Sequence, residues 1–188
     1  ETIVSRGLCI GCGLCVSVVG EASLKMQLTS AGRLRPVVKK SLSQSSMDQV
    51  RTICPGIGVT APMPDASGPM HPLWGPIRTT HRGWASDPHI RFTAAAGGAL
   101  TALGAFLLDT GKVDTVLHVR ASTSNPMLTD AQVSTSAEEV LSGAQSRYGP
   151  SAPLVHVNRL LDEGRTFAVL GKPCDVAAIR NLARIYTR

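Results

Sequence analysis

Three cysteines at a spacing of three, in Cys9-Ile-Gly-Cys12-Gly-Leu-Cys15, are the residues here best suited to chemistry. Thiolates set so closely, with Gly11 and Gly13 between them, let a short loop wrap one small inorganic object, as cysteines do around a 4Fe–4S cluster. Glycine bends freely and leaves the backbone amides uncovered, so those amides can point at sulfur. A bacterial ferredoxin would carry its next Cys-Pro shortly after the third cysteine. Val19 and Gly20 stand there instead. The fourth ligand must come from elsewhere, and Cys54-Pro55-Gly56 is the obvious supplier. The alternative is structural zinc, which favours two separated Cys-x-x-Cys pairs.

Three further stretches could hold a ligand. Ala94-Ala-Ala-Gly97-Gly98 opens a helix pattern, and free amides at a helix start attract a phosphate. Close helix packing is the competing reading, because the full dinucleotide fingerprint is missing. Ser146-Arg147-Tyr148-Gly-Pro150 puts a hydroxyl, a guanidinium and a phenol ring together before a turn, which suits an anionic, planar ligand, with an Arg stacked on a Tyr at a loop surface as the equal alternative. Gly171-Lys172-Pro-Cys174-Asp175 joins a strand to a helix, and ligands bind in that crevice of open α/β sheets. Cys174, at a helix N-terminus beside Lys172, is expected to be available as a metal ligand or redox group, with a buried inert thiol as the alternative. Lys172 is suited to a phosphate, a ring carbonyl or an anionic substrate. Hydrolase elbows and Walker loops are absent from the sequence, and His81, His89, His118 and His156 lack metal-ligand spacing.

The elements that must position these groups follow from pattern. The chain has 188 residues, of which 43% are hydrophobic and 17% charged, so a packed core is expected and disorder is not. Net charge is +6, yet the basic residues form no run longer than Lys39-Lys40 and carry no interleaved aromatics. That argues against a nucleic-acid partner. Five cysteines, three of them crowded together, indicate metal ligation in a reducing compartment rather than a disulfide framework. With no long apolar run and no signal-peptide core, a soluble cytoplasmic protein without a membrane partner is expected.

Residues 1–60 read as an iron–sulfur cluster module, with a hairpin over Leu24–Leu28 and Arg33–Val38 and a helix over Ser43–Ile53 that delivers Cys54. Residues 61–76 are a Pro/Gly-rich linker, in which His71 and Trp74 are expected to pack and anchor the loop. Residues 77–188 alternate helix and strand. An apolar helix spans residues 99–108 with Leu100, Leu103 and Leu107 in helical spacing, and a strand spans Val113–Val119. A weaker strand covers Asp130–Ser134, and a capped helix follows Ser136. A helix at Leu160-Leu161 stops at Gly164. Thr166–Leu170 reads as the clearest core strand, and a helix from Asp175 to Tyr186 carries Val176, Ile179 and Leu182 on one face.

Together these pieces resemble the coenzyme F420 hydrogenase/dehydrogenase beta-subunit family, which is related to the 7-hydroxymethyl chlorophyll a reductases. The resemblance rests on Cys9-x-x-Cys12-x-x-Cys15 with the distant Cys54-Pro-Gly, Ala96-Gly97-Gly98-Ala-Leu-Thr101, Ser146-Arg147-Tyr148 and Gly171-Lys-Pro-Cys174-Asp, in the family's order. It implies an α/β (α+β) fold, with a small iron–sulfur module followed by an α/β flavin-binding domain that is truncated here, since the family's chain is considerably longer. It implies a 4Fe–4S cluster on Cys9, Cys12, Cys15 and Cys54, with Cys174 as a candidate ligand of a second cluster. It also implies FAD along Gly97, Gly98 and Thr101, and Ser146, Arg147, Tyr148 and Lys172 beside the flavin or its substrate, Lys172 being the candidate catalytic residue. Where the family usually has serine this chain has Ala95, which removes a possible hydroxyl contact. The implied activity passes electrons between a one-electron carrier and a deazaflavin. Its donor would be a ferredoxin or a hydrogenase/dehydrogenase subunit. Rival readings are a reductase of another conjugated substrate such as a tetrapyrrole, a non-enzymatic electron-transfer subunit, and a zinc-stabilised binding module.

Overall fold

A computed structural model describes residues 2–59, 69–77 and 79–186. The stretch 61–68 of the expected linker lies outside the described residues. After a short helix α1 (Thr2–Ser5), the cysteine loop runs into helix α2 (Leu14–Val19). Strands β1 (Leu24–Leu28) and β2 (Leu34–Val38) form the expected antiparallel hairpin, with Leu24 opposite Val38 and Leu28 opposite Leu34. Helix α3 (Gln44–Ile53) starts where the Ser43 side chain accepts from the Ser46 amide, and it ends at Cys54. That hydroxyl satisfies one of the helix's orphan donors.

A two-residue hairpin, β3 (Met70–His71) with β4 (Gly75–Pro76), follows. His71 anchors its turn, since Nδ1 accepts from the Leu73 and Trp74 amides at 3.2 Å each. Trp74 itself is exposed rather than packed. Helix α4 (Pro88–Thr93) is capped by Asp87, whose carboxylate accepts from the His89 and Ile90 amides. A tight turn at Ala95–Gly98 then leads into α5 (Ala99–Asp109).

The main sheet contains β5 (Thr115–Ala121), β6 (Thr129–Ser134) and β7 (Phe167–Val169), in the order β6-β5-β7. Between them run α6 (Ala137–Ser142) and α7 (Val157–Asp162), and α8 (Pro173–Ala183) follows β7. Strand β5 pairs antiparallel with β6 and parallel with β7, giving a mixed sheet in a chain of mixed helix and sheet. The first strand begins later than the sequence suggests, because Asp114 is held in a clamp before it. Its Oδ2 accepts from the Thr166 amide at 2.8 Å and the Thr166 hydroxyl at 2.7 Å. The segment expected to be the clearest core strand is a half-buried edge of three residues. The central strand is β5, paired on both sides, with Thr115 to His118 buried.

Two helix faces also differ from expectation. In α5 the buried residues are Gly104 and Ala105, while Leu100 and Leu103 are exposed. The reason is close approach: a Cβ on Gly104 would come within 3.1 Å of both Leu170 Cδ1 and Val140 Cγ1. Small residues therefore face the sheet and the leucines turn outward. In α8 the buried face is Asp175, Ala178, Asn181 and Leu182, and Val176 lies outside it.

One core cluster unites Cys12, Leu14 and Ile53 with Leu117, Leu154, Val157, Ala178 and Leu182. The cysteine loop is thus packed on the sheet domain, and the Leu154 amide donates to the Cys12 carbonyl at 2.9 Å. Among the described residues, no helix is long and apolar enough to cross a membrane.

Candidate functional site

The first site is built by the cysteine loop and the end of α3. Cys9, Cys12, Cys15 and Cys54 all line one small cavity, closed by Met26, Pro36 and Ile53 among others. Gly13 is essential to this wrapping. Its φ is +82°, and a Cβ there would lie 2.5 Å from Val155 Cγ1 and 3.1 Å from Ala152 Cβ. Only glycine meets both demands, a left-handed backbone and close approach to the 152–155 segment.

Burial pushes the Cys12 thiol up to about 12 and the Cys15 thiol to about 11, and it raises Cys54 as well. Backbone hydrogen bonds oppose this, from Leu14 to Cys12, from Val16 to Cys15 and from Gly56 to Cys54. These donors favour the thiolate form, the form that binds metal. The desolvated thiols shed protons on loading, so metal binding and proton release are coupled. Zinc would need its thiolates gathered around a single ion with Zn–S near ~2.3 Å. A cluster would need thiolates around a shared cavity, each binding its own iron, and the four cysteines line one cavity. Cys174, half-buried in the first turn of α8, lines neither this cavity nor the cleft beside it.

The second site is a cleft of about 640 Å³, within the usual range for a small-molecule site. The structure brings Thr101, Ser146, Arg147, Tyr148 and Lys172 together on its walls. Gly97 and Gly98 are not brought there. A Cβ on Gly97 would meet Trp84 Cβ at 3.1 Å, and one on Gly98 would meet the Ile90 carbonyl at 2.8 Å. Both glycines have positive φ. They make the sharp turn that presents their neighbours Ala95, Ala96 and Ala99 to the cleft. The opposite rim is tied down by Gln145, a non-glycine residue at φ +92° whose side-chain amide donates to the Thr93 carbonyl. Such strain is characteristic of ligand clamps. Beyond it Tyr148 is almost fully exposed.

Sequence reasoning missed two lining residues, His118 and Asp175. His118 is buried on β5. Its Nδ1 lies 3.2 Å from the Val119 carbonyl and its Nε2 lies 2.7 Å from the Ser134 hydroxyl. A carbonyl can only accept, so Nδ1 carries the proton and Nε2 accepts from Ser134. Burial lowers the pKa of His118, in keeping with that neutral ring. Nothing local in its strand signalled this role. Asp175 is fully buried, and its Oδ2 takes the Lys172 amide at 3.0 Å and the Lys172 ammonium at 2.8 Å. Its place three residues after the helix cap was the available signal.

The two sites share a wall. Ile10, between the first two cysteines, lines both the thiol cavity and the cleft. Asp175 joins them electrostatically, since it lines the cleft and its charge bears on Cys12.

Residues 80–159 match the family model described as coenzyme F420 hydrogenase/dehydrogenase, beta subunit N-term. Over 103 residues the chain is 39% identical to the F420-dependent formate dehydrogenase 1 subunit beta of Methanococcus maripaludis, covering 53% of this chain and 26% of that protein. In structure it resembles a chain of the F420-reducing NiFe hydrogenase complex from Methanosarcina barkeri. The TM-score is 0.50 at 24% identity, over 56% of this chain and 36% of that one. The structural likeness is one of fold, and the matched region spans only about a quarter to a third of these longer chains.

Proposed function

Because the chain belongs, through residues 80–159, to the coenzyme F420 hydrogenase/dehydrogenase beta-subunit family, we propose that it is part of an iron–sulfur flavoprotein oxidoreductase. It would pass electrons between a one-electron carrier and a deazaflavin coenzyme. The observation that carries this reading is the shared wall: a cavity lined by four thiols abuts a ligand-sized cleft across the single side chain Ile10.

Cys9, Cys12, Cys15 and Cys54 would hold a 4Fe–4S cluster. Thr101, Ser146, Arg147, Tyr148 and Lys172 would hold FAD or its redox partner, with Gly97 and Gly98 shaping the turn behind them. When bound, the cluster supplies one-electron transfer and the flavin supplies two-electron chemistry; the protein contributes position and electrostatics. Arg147 suits the anionic part of the ligand, because a guanidinium pairs with phosphate oxygens. Lys172, which lines the cleft, would face the reacting ring. Ile10 would stand between the two groups, and Cys12 beside it in the loop is buried. The donor protein is a ferredoxin or a companion dehydrogenase or hydrogenase subunit, and five free cysteines suit a reducing cytoplasm.

The test uses the full-length protein purified without oxygen and loaded with iron, sulfide and FAD. Supplied with a reduced ferredoxin, it is expected to bleach the absorbance of oxidised coenzyme F420. Failure to do so with both cofactors loaded, while another conjugated acceptor is reduced, would move the assignment to that substrate.

A further inference from the structure

Resting on the reading of the cleft as a flavin-type site, we infer that Lys172 and Asp175 form a donor–acceptor pair that grips a conjugated ring by its imide edge. The Lys172 ammonium donates to a ring carbonyl, and Asp175 Oδ1 accepts the adjoining ring N–H. Asp175 is fully buried at the start of the eleven-residue helix α8. Helix capping explains one of its oxygens: Oδ2 accepts from the Lys172 amide and ammonium. It does not explain the other, because Oδ1 is buried without a partner among the described residues. An acceptor left in that state costs stability until a donor arrives.

Both residues line the cleft, and because Oδ1 has no exposed surface of its own, a ligand there supplies the missing donor only as the half-exposed Lys172 side chain moves aside to meet the ring carbonyl. Lys172 has three donors, of which Asp175 occupies one, and its side chain is half exposed. A donor beside an acceptor is therefore what a ligand must present at this spot. A phosphate is the wrong partner, since it would set an anion against the carboxylate. Phosphates belong at the Arg147 and Thr101 walls instead, which directs the ring toward α8. Flavins and 5-deazaflavins share one ring edge of this kind, an N–H between two carbonyls.

The chain would be titrated with lumiflavin, its N3-methyl derivative and the 5-deaza counterparts of both, with ring fluorescence as the readout. Methylation is expected to weaken binding about tenfold or more, since a site built to receive an N–H discriminates strongly against its loss. Asp175→Asn should abolish most of that discrimination. An effect in the flavin pair assigns the edge to the cofactor, and one confined to the deaza pair assigns it to the substrate; either supports the pairing. Equal binding of methylated and parent rings would overturn the pairing and leave the flavin reading intact. No binding of any ring would overturn both. The comparison of rings uses the unaltered protein, so it stands even if the variant misfolds.

Discussion

The thiol cavity and the cleft touch at Ile10 but are built in opposite ways. Three of the cavity's four thiols come from residues close in sequence and held by their own backbone, and of the cysteines only Cys54 arrives from a distance. The cleft is assembled from five separated segments, and several of its polar groups stand in solvent. One site is predefined by the chain's local geometry; the other depends on the sheet and helices bringing loops together. The contrast suits their proposed loads, a small cluster enclosed by its ligands and a large organic ligand that must enter and leave.

This comparison can be broken first at Cys54. Replacing it with Ala should remove the cluster and take iron from about four per chain to near none. Iron retained in full would show that the fourth ligand lies elsewhere. Gly13→Val comes next. It forces a branched side chain into a left-handed backbone against Val155 and should cost about 2–4 kcal/mol, read as a lower denaturation midpoint. A neutral result would mean that the cysteine loop is not held against the sheet domain. Arg147→Ala should act only on the cleft, weakening FAD about tenfold by equilibrium titration while iron content stays unchanged. Iron lost together with FAD would erase the distinction between the two sites.

The smallest effect concerns His118. Its pKa is lowered from the usual 6.5 by burial, so the unfolded chain takes up this proton first as pH falls. Stability supplied by the neutral ring is complete above 6.5 and declines as pH drops below that value toward the lowered folded pKa. In nitrogen-detected NMR its ring should remain neutral at a pH where exposed histidines have titrated. Titration in step with them would remove the burial argument.

How much of this was legible beforehand follows the same divide. Cys9, Cys12, Cys15 and Cys54 could be grouped from residue type and spacing, and the fold lines one cavity with them; the hairpin and α3 carried plain turn and cap signals. Thr101, Ser146, Arg147, Tyr148 and Lys172 were readable as separate loops, and the fold brings them to one cleft. Gly97 and Gly98 were not readable in full. A glycine needed for close packing against Trp84 or Ile90 looks the same in sequence as one needed for a ligand. The outward leucines of α5 escaped for a related reason, because apolar periodicity does not reveal which face meets the sheet when Gly104 makes the contact. Asp175 and His118 were hidden because burial is a tertiary property, and a carboxylate at a helix start reads as an ordinary cap.

The most direct test of the central claim is elemental and flavin analysis of the full-length protein purified without oxygen. The account predicts about four irons and four acid-labile sulfides per chain, accompanied by FAD and without zinc. Zinc in the absence of iron would contradict it.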